Sequence, residues 1–188
     1  MADDTHLTTT VRVNLYLGKT GTAALVTDLI TLIDGFIQNY CGHNFISAPY
    51  TSEKYNGDGT DTLLLKQYPI ITVTSIYIDN TLLSSTCYDD TTNKVSGLYL
   101  NQGKIVLIDG STFTTGTQNI WITYNAGYAT IPADISLIAT QMICELYNNP
   151  TGVTSERIGQ YSVSYGSIAE GKISPRYAAI LDKYKKRW

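Results

Sequence analysis

The sequence predicts an α+β chain: a bundle of three to four helices, an inserted small β-sheet or sandwich, and an extended arm before a C-terminal helix. Two observations predict it. Apolar residues recur at helical spacing up to about residue 42 and again from Asp134, whereas between Pro49 and Tyr124 they alternate with period two. The return to helix is sharply punctuated. Ile120-Trp121-Ile122-Thr123-Tyr124 alternates like a strand, Gly127 admits backbone angles that side chains forbid, and Pro132 suits the first turn of a helix. The expected division is 1–48 with 125–188 for the bundle and 49–124 for the β insertion.

Each element has a local reason. Thr8-Thr9-Thr10 can cap a short helix from Val11 to about Leu17, which Gly18 ends. From Thr22, the apolar positions Leu25, Leu29, Leu32, Ile33, Phe36, Ile37 and Tyr40 describe one buried stripe on a helix ending near Gly42. Strands are expected at 50–55, 62–66, 70–79, 82–88, 98–100, 104–108 and 119–124. Asn56-Gly57-Asp58-Gly59 would join the first pair, Asp79-Asn80 the third to the fourth, and Asn101-Gln102-Gly103 a further hairpin. A second long helix carries Ile135, Ile138, Ala139, Met142, Ile143, Leu146 and Tyr147 until Asn148-Asn149-Pro150 stops it. Residues from about 151 to 173 are polar and glycine-punctuated. The alternating Tyr161, Val163 and Tyr165 there suggest an extended arm or hairpin that could complete a neighbour's sheet. A last helix from Ser174, with Pro175 in its first turn and Tyr177, Ile180, Leu181 and Tyr184 on one face, is expected to reach the C-terminus.

Composition narrows the function classes. Charged residues make up 15% of the 188, against roughly 25% in average domains. The surface therefore gives up charge repulsion between copies, while 15 tyrosines supply amphipathic contact area of the kind enriched at protein interfaces. Both features favour an assembling protein. The net charge of −3 hides an acidic body and a basic tail. Lys183, Lys185, Lys186 and Arg187 suit a solvated helix end or a docking tail for an acidic surface better than a nucleic-acid tail. Three scattered cysteines without a C-x-x-C pair read as free thiols in a reducing compartment. No apolar run approaches the roughly 20 residues of a membrane span, and assembly in cytosol is expected.

Catalytic signals are weak. The chain has two histidines, His6 in a polar terminus and His43 just past a helix-ending glycine; neither marks a base-and-nucleophile arrangement. A thiol dyad of His43 with Cys41 or Cys144 would need a fold contact that the sequence does not show. Asn56-Gly57-Asp58-Gly59-Thr60-Asp61 has oxygen-bearing side chains at alternate positions, yet Asp61 and Gln67 stand where an EF-hand loop needs glycine and glutamate. Phosphate-binding glycine loops and H-E-x-x-H are absent from the sequence. No catalytic residue, metal or cofactor is expected.

The order of parts resembles the head-to-tail connector, or adaptor, proteins of tailed bacteriophages. The resemblance is carried by Leu17-Gly18, Tyr40-Cys41-Gly42-His43-Asn44-Phe45, Tyr55-Asn56-Gly57-Asp58-Gly59, the run from Leu65 to Tyr77, Tyr124-x-Ala126-Gly127-Tyr128-x-x-x-Pro132-x-Asp134, the arm at 154–166, and Leu181-Asp182-Lys183-Tyr184-Lys185-Lys186-Arg187. It implies a non-enzymatic virion neck component that forms a ring, commonly of twelve copies, beneath the portal protein. A tail-completion or stopper protein would attach below. DNA would pass through the channel without sequence-specific binding, as suits an acidic body. The resemblance also implies that the C-terminal helix docks on the portal, through Arg176, Tyr177, Leu181, Tyr184, Lys185, Arg187 and Trp188. Tyr161, Val163 and Tyr165 would form the inter-subunit arm. The rivals are a surface-decoration or carbohydrate-binding module using Trp121 or Tyr99, and a cysteine-dependent hydrolase.

Overall fold

The computed structural model describes residues 5–84, 88, 103–148, 155–158, 161–164 and 173–186. The expected strand at 98–100, residues 85–87 of the one at 82–88, the turn residues Asn101 and Gln102, and the site candidates Tyr165, Arg187 and Trp188 lie outside the described residues. The chain divides into two compact units, Met1–Gly42 with Thr130–Trp188, and His43–Ala129.

The first unit is helical. Helix α1 (Thr10–Leu17) starts at Thr9, whose hydroxyl accepts the Arg12 N–H, and stops at Gly18 with φ +65°. Helix α2 (Ala23–Cys41) ends likewise at Gly42, φ +77°. Helix α3 (Ala133–Asn148) begins where the Pro132 carbonyl accepts the Ser136 N–H. A short helix, α4 (Pro175–Leu181), packs against α2 and α3, and α1 against the same two. The core includes Val13 of α1, Ile135, Ile138, Ala139, Met142 and Ile143 of α3, Tyr177 and Leu181 of α4, and an α2 face that shares only Ile33 and Ile37 with the expected one. That face is Val26, Ile30, Ile33, Ile37 and Cys41; Leu25 and Leu32 are exposed, and Leu29, Phe36 and Tyr40 half-buried. Helix α2 carries apolar side chains on two adjacent arcs, and periodicity alone could not choose which one its neighbours cover. Helix α4 also stops short of the C-terminus. After Leu181 the chain tightens into turns, and the Lys186 N–H bonds the Cys41 carbonyl at the end of α2 (2.7 Å).

The second unit is a small two-sheet structure. Strands β1 (Ala48–Gly57), β3 (Ile70–Ile78), β4 (Thr81–Leu82) and β6 (Gly116–Ala126) form one antiparallel sheet in the order β1-β6-β3-β4. Strands β2 (Thr62–Leu64) and β5 (Lys104–Val106) form a second. Leu63 and Ile105 of the pair join Tyr55, Ile76, Ile120, Ile122 and Tyr124 of the larger sheet, with Phe113, in one core. Asp79 and Asn80 both take positive φ (+49° and +66°), the geometry of a two-residue hairpin turn between β3 and β4, as expected. The Asn56–Gly59 segment does not make a hairpin. It crosses from one sheet to the other, because β1 pairs with β6 and β2 with β5; Gly59 N–H bonds the Phe113 carbonyl instead. A hairpin of β7 (Ser155–Ile158) and β8 (Tyr161–Ser164) precedes α4, with Tyr161 opposite Ile158 and Val163 opposite Glu156.

Candidate docking surface and its anchors

The C-terminal segment is stitched to the bundle by polar contacts around a buried apolar pair. Tyr177 and Leu181 stand one helical turn apart and have no exposed surface. The Tyr177 hydroxyl donates to Glu145 Oε1 of α3 (2.5 Å), where the Arg176 guanidinium also donates (2.9 Å) while lying over the Tyr177 ring at 4.6 Å. Burial, helped by the Glu145 carboxylate, pushes the Tyr177 phenol up to about 12. Beyond the helix, the Tyr184 hydroxyl reaches both Asp134 oxygens at 2.9 Å, and the Tyr40 hydroxyl of α2 donates to Asp182 at 2.7 Å. Lys185 lies 4.6 Å over the Tyr40 ring.

Of the expected docking residues, Tyr177 and Leu181 are buried within the bundle of the single chain, because an aromatic and a leucine at i and i+4 on a short helix fasten it to its neighbours. Tyr184 is half-buried and engaged with Asp134. Arg176 and Lys185 are the exposed members among the described residues; with exposed Lys183 beside them, against exposed Asp182, the outward chemistry of this end is net basic.

A second anchor holds the N-terminus and was not legible beforehand. His6 Nδ1 stands 2.7 Å from Asp34 Oδ2 of α2, and the Leu7 N–H donates to Asp34 Oδ1 at 3.2 Å. Burial pushes the Asp34 carboxyl up from its usual range, opposed by His6 and the Leu7 amide. Next to it, the Thr8 and Thr140 hydroxyls bond at 2.7 Å in the interior. The aspartate sits among apolar residues in α2, and only its burial gives it away.

The β unit has its own polar centre. Glu53 Oε2 accepts the hydroxyls of Tyr55 (2.5 Å) and Tyr124 (2.6 Å), and Lys66 Nζ approaches Oε1 at 3.3 Å. Burial works to raise the Glu53 carboxyl, but the two phenols and the Lys66 ammonium outweigh it and hold the pKa below the usual range. His43 is buried, with ring centroids 4.5 Å from Phe45 and 4.2 Å from Tyr68.

The enzyme and sugar rivals find little support in this geometry. The Cys41 thiol is buried, donates to the Leu181 carbonyl, and is pushed by burial up to about 12, the opposite of an activated nucleophile. The Cys144 thiol is raised as well, first by burial. The Trp121 indole N–H is used by the Gln118 carbonyl (3.0 Å) and its ring carries Lys54 at 5.4 Å, while Tyr99 lies outside the described residues. Among the described residues no cluster could hold a metal ion, and no helix is long and apolar enough to cross a membrane.

The family model of head completion proteins matches residues 6–187, spanning both units. The chain belongs to the head completion protein family. No curated protein sequence matches. Among solved structures, this head completion protein is similar to a chain in the neck of an empty GTA particle, computed with C6 symmetry. That match has 12% identity, TM-score 0.58 and coverage of 95% of this chain and 89% of that one. It is also similar to a chain in the neck of the native GTA particle, computed with C12 symmetry (13% identity, TM-score 0.56, 100% and 93% covered). A third match is a chain in the virion of the native gene transfer agent (14% identity, TM-score 0.55, 94% and 87% covered). At such identities the likeness is one of fold, and it covers the α+β architecture as a whole. The resemblance to tailed-phage connectors seen in the sequence is borne out.

Proposed function

We propose that this head completion protein forms a closed ring of twelve copies beneath the portal, linking the DNA-filled head to the tail, without enzymatic activity. The structural head-to-tail connector role itself follows from family membership, and the observation that carries it is the match over residues 6–187. The ring is supported by the fold shared with chains of necks computed with C6 and C12 symmetry. A low-charge, tyrosine-rich surface also suits repeated subunit contacts. In the ring, the exposed basic end, Arg176, Lys183 and Lys185 with Arg187 and Trp188 beyond, faces the portal. The tract containing Tyr161, Val163 and Tyr165 reaches a neighbouring copy, and a tail-completion protein binds the opposite side. The acidic body lets DNA pass without adhering. Assembly takes place in the host cytoplasm.

The test is attachment to portal-bearing heads. Deleting 174–188 would strip Tyr177 and Leu181 from the core, so surface substitutions are the cleaner probe. Lys183→Glu with Lys185→Glu should leave the circular dichroism spectrum unchanged and reduce co-sedimentation with heads. Undiminished co-sedimentation of the pair, and of Trp188→Ala, would refute the portal assignment.

A further inference from the structure

Two helices of the first unit are apolar on faces that their own bundle leaves open or only half-covered. On α2, Leu25, Leu29, Leu32 and Phe36 fall on one arc roughly 110° around the helix from the buried seam and run about 16 Å along it. Leu25 and Leu32 are 46% and 66% exposed. On α1, Val11 and Leu15 both lie about 160° from the buried Val13 and are 67% and 76% exposed. Charges stand at the rims of both faces: exposed Asp28 is about 70° around α2 from the centre of its arc, and Arg12, the charged residue of α1, donates to the Ser136 hydroxyl.

The two faces lie on opposite flanks of α2. Thr27 lines a small cavity with His6, Thr8, Thr9 and Thr10, so the start of α1 sits on the Thr27 side. The Leu25–Phe36 arc is roughly 170° around the helix from Thr27. A two-fold dimer needs one self-complementary patch, whereas a ring needs two unlike patches that face away from each other. A helix apolar on both sides, such as α1, also calls for cover on both.

We infer that the occupant of each face is a second copy of this chain. The Val11/Leu15 face of α1 packs on the Leu25/Leu29/Leu32/Phe36 face of α2 in the next subunit, head to tail around the ring. The inference rests on the ring reading above and adds which surfaces close it. Stacking α2 on α2 would leave the α1 pair in water, and a portal segment on either face would leave the other bare; head-to-tail pairing covers both.

Particles lacking the protein, complemented with full-length chain carrying Leu15→Cys together with Leu32→Cys, supply the test. After treatment with a short bismaleimide, the double variant should give a ladder of cross-linked copies on a denaturing gel. With Cys87→Ser and Cys144→Ser in every variant, since Cys144 is only half-buried, that ladder should be lost with either single variant and with the background chain, whose remaining Cys41 is buried. Dimers from Leu32→Cys alone would mean two-fold pairing and overturn the inference. Particles that image as holding a ring of the double variant yet yield no ladder would overturn the face assignment and leave the ring standing. Particles that incorporate the unsubstituted chain but image without any ring would overturn the ring reading beneath it. If the cysteines block incorporation, Leu15→Met with Leu32→Met should restore it, and Leu15→Asp or Leu32→Asp should each abolish it; unimpaired incorporation of both aspartate variants would refute the proposal.

Discussion

Replacing Gly127 by alanine tests the physical reading of the strand-to-helix junction. Gly127 has φ +119°, a region that side chains rarely enter, and a Cβ built there would lie 2.6 Å from the Ile46 carbonyl oxygen and 2.7 Å from both the Ile46 carbonyl carbon and Ser47 Cα. All three are backbone atoms, so no side chain can swing aside. The strained conformation costs about 1–3 kcal/mol. Relief by moving the strand end would stretch the bonds from Gly127 N–H to Pro69 O and from Tyr128 N–H to Phe45 O, both 2.9 Å, at about 1 kcal/mol each. The expected loss is therefore about 3–5 kcal/mol, a large share of the roughly 5–15 kcal/mol typical of a domain. Gly110→Ala is the matched control in the same unit. It shares a positive φ (+81°) but opens onto empty space, and should cost about 1–2 kcal/mol. Two units need not unfold together, so urea titration is followed by Trp121 emission in a Trp188→Phe background, which reports the β unit. A midpoint shift for Gly127→Ala no larger than that of Gly110→Ala would refute the close-approach argument.

Other consequences follow from the anchors. Glu53 has its carboxyl held below the ordinary value of 4.5, so its stabilisation is present above that pH and is lost as pH falls through the lower folded value. Glu53→Gln should cost about 1–2 kcal/mol at neutral pH and flatten the acid limb below about pH 4.5; superimposable acid melts would contradict this. Leu181→Ala should cost about 2–5 kcal/mol and Tyr177→Phe about 1.5–3 kcal/mol, with lost amide protection in α4 seen by hydrogen exchange; protection equal to the parent would mean that α4 is not anchored as described. With its thiol pushed up to about 12, Cys41 should stay unalkylated by iodoacetamide at pH 8 until urea unfolds the chain, and mass spectrometry of native labelling reads this directly.

Local chemistry made much of the fold legible in the sequence, and long-range choices did not. Gly18, Gly42, Asp79-Asn80 and Pro175 act through their own backbone and Thr9 through a hydroxyl bonded three residues on, and each stands where its chemistry requires. The covered face of α2 is decided by residues about a hundred positions away in α3, so the expected stripe mixed two arcs: Ile33 and Ile37 are buried, while Leu25 and Leu32 are exposed. The same distance effect hid the crossing of Asn56–Gly59 between sheets, since β6 claims β1 from more than sixty residues downstream. At the candidate site, the exposed basic residues were evident from their run. The inward roles of Tyr177 and Leu181 were not, because an amphipathic face looks alike whether it meets its own bundle or a partner. Asp34 and Glu53 carried no motif, and only burial beside His6 and beside two tyrosines gives them their roles.

The most direct test of the connector account is cryo-electron microscopy of particles complemented with this chain, set against particles without it. The account predicts density for both units, repeated around a closed twelve-fold ring between portal and tail, and missing from tail-less particles made without the chain. Density on the capsid lattice with an unchanged neck would contradict it.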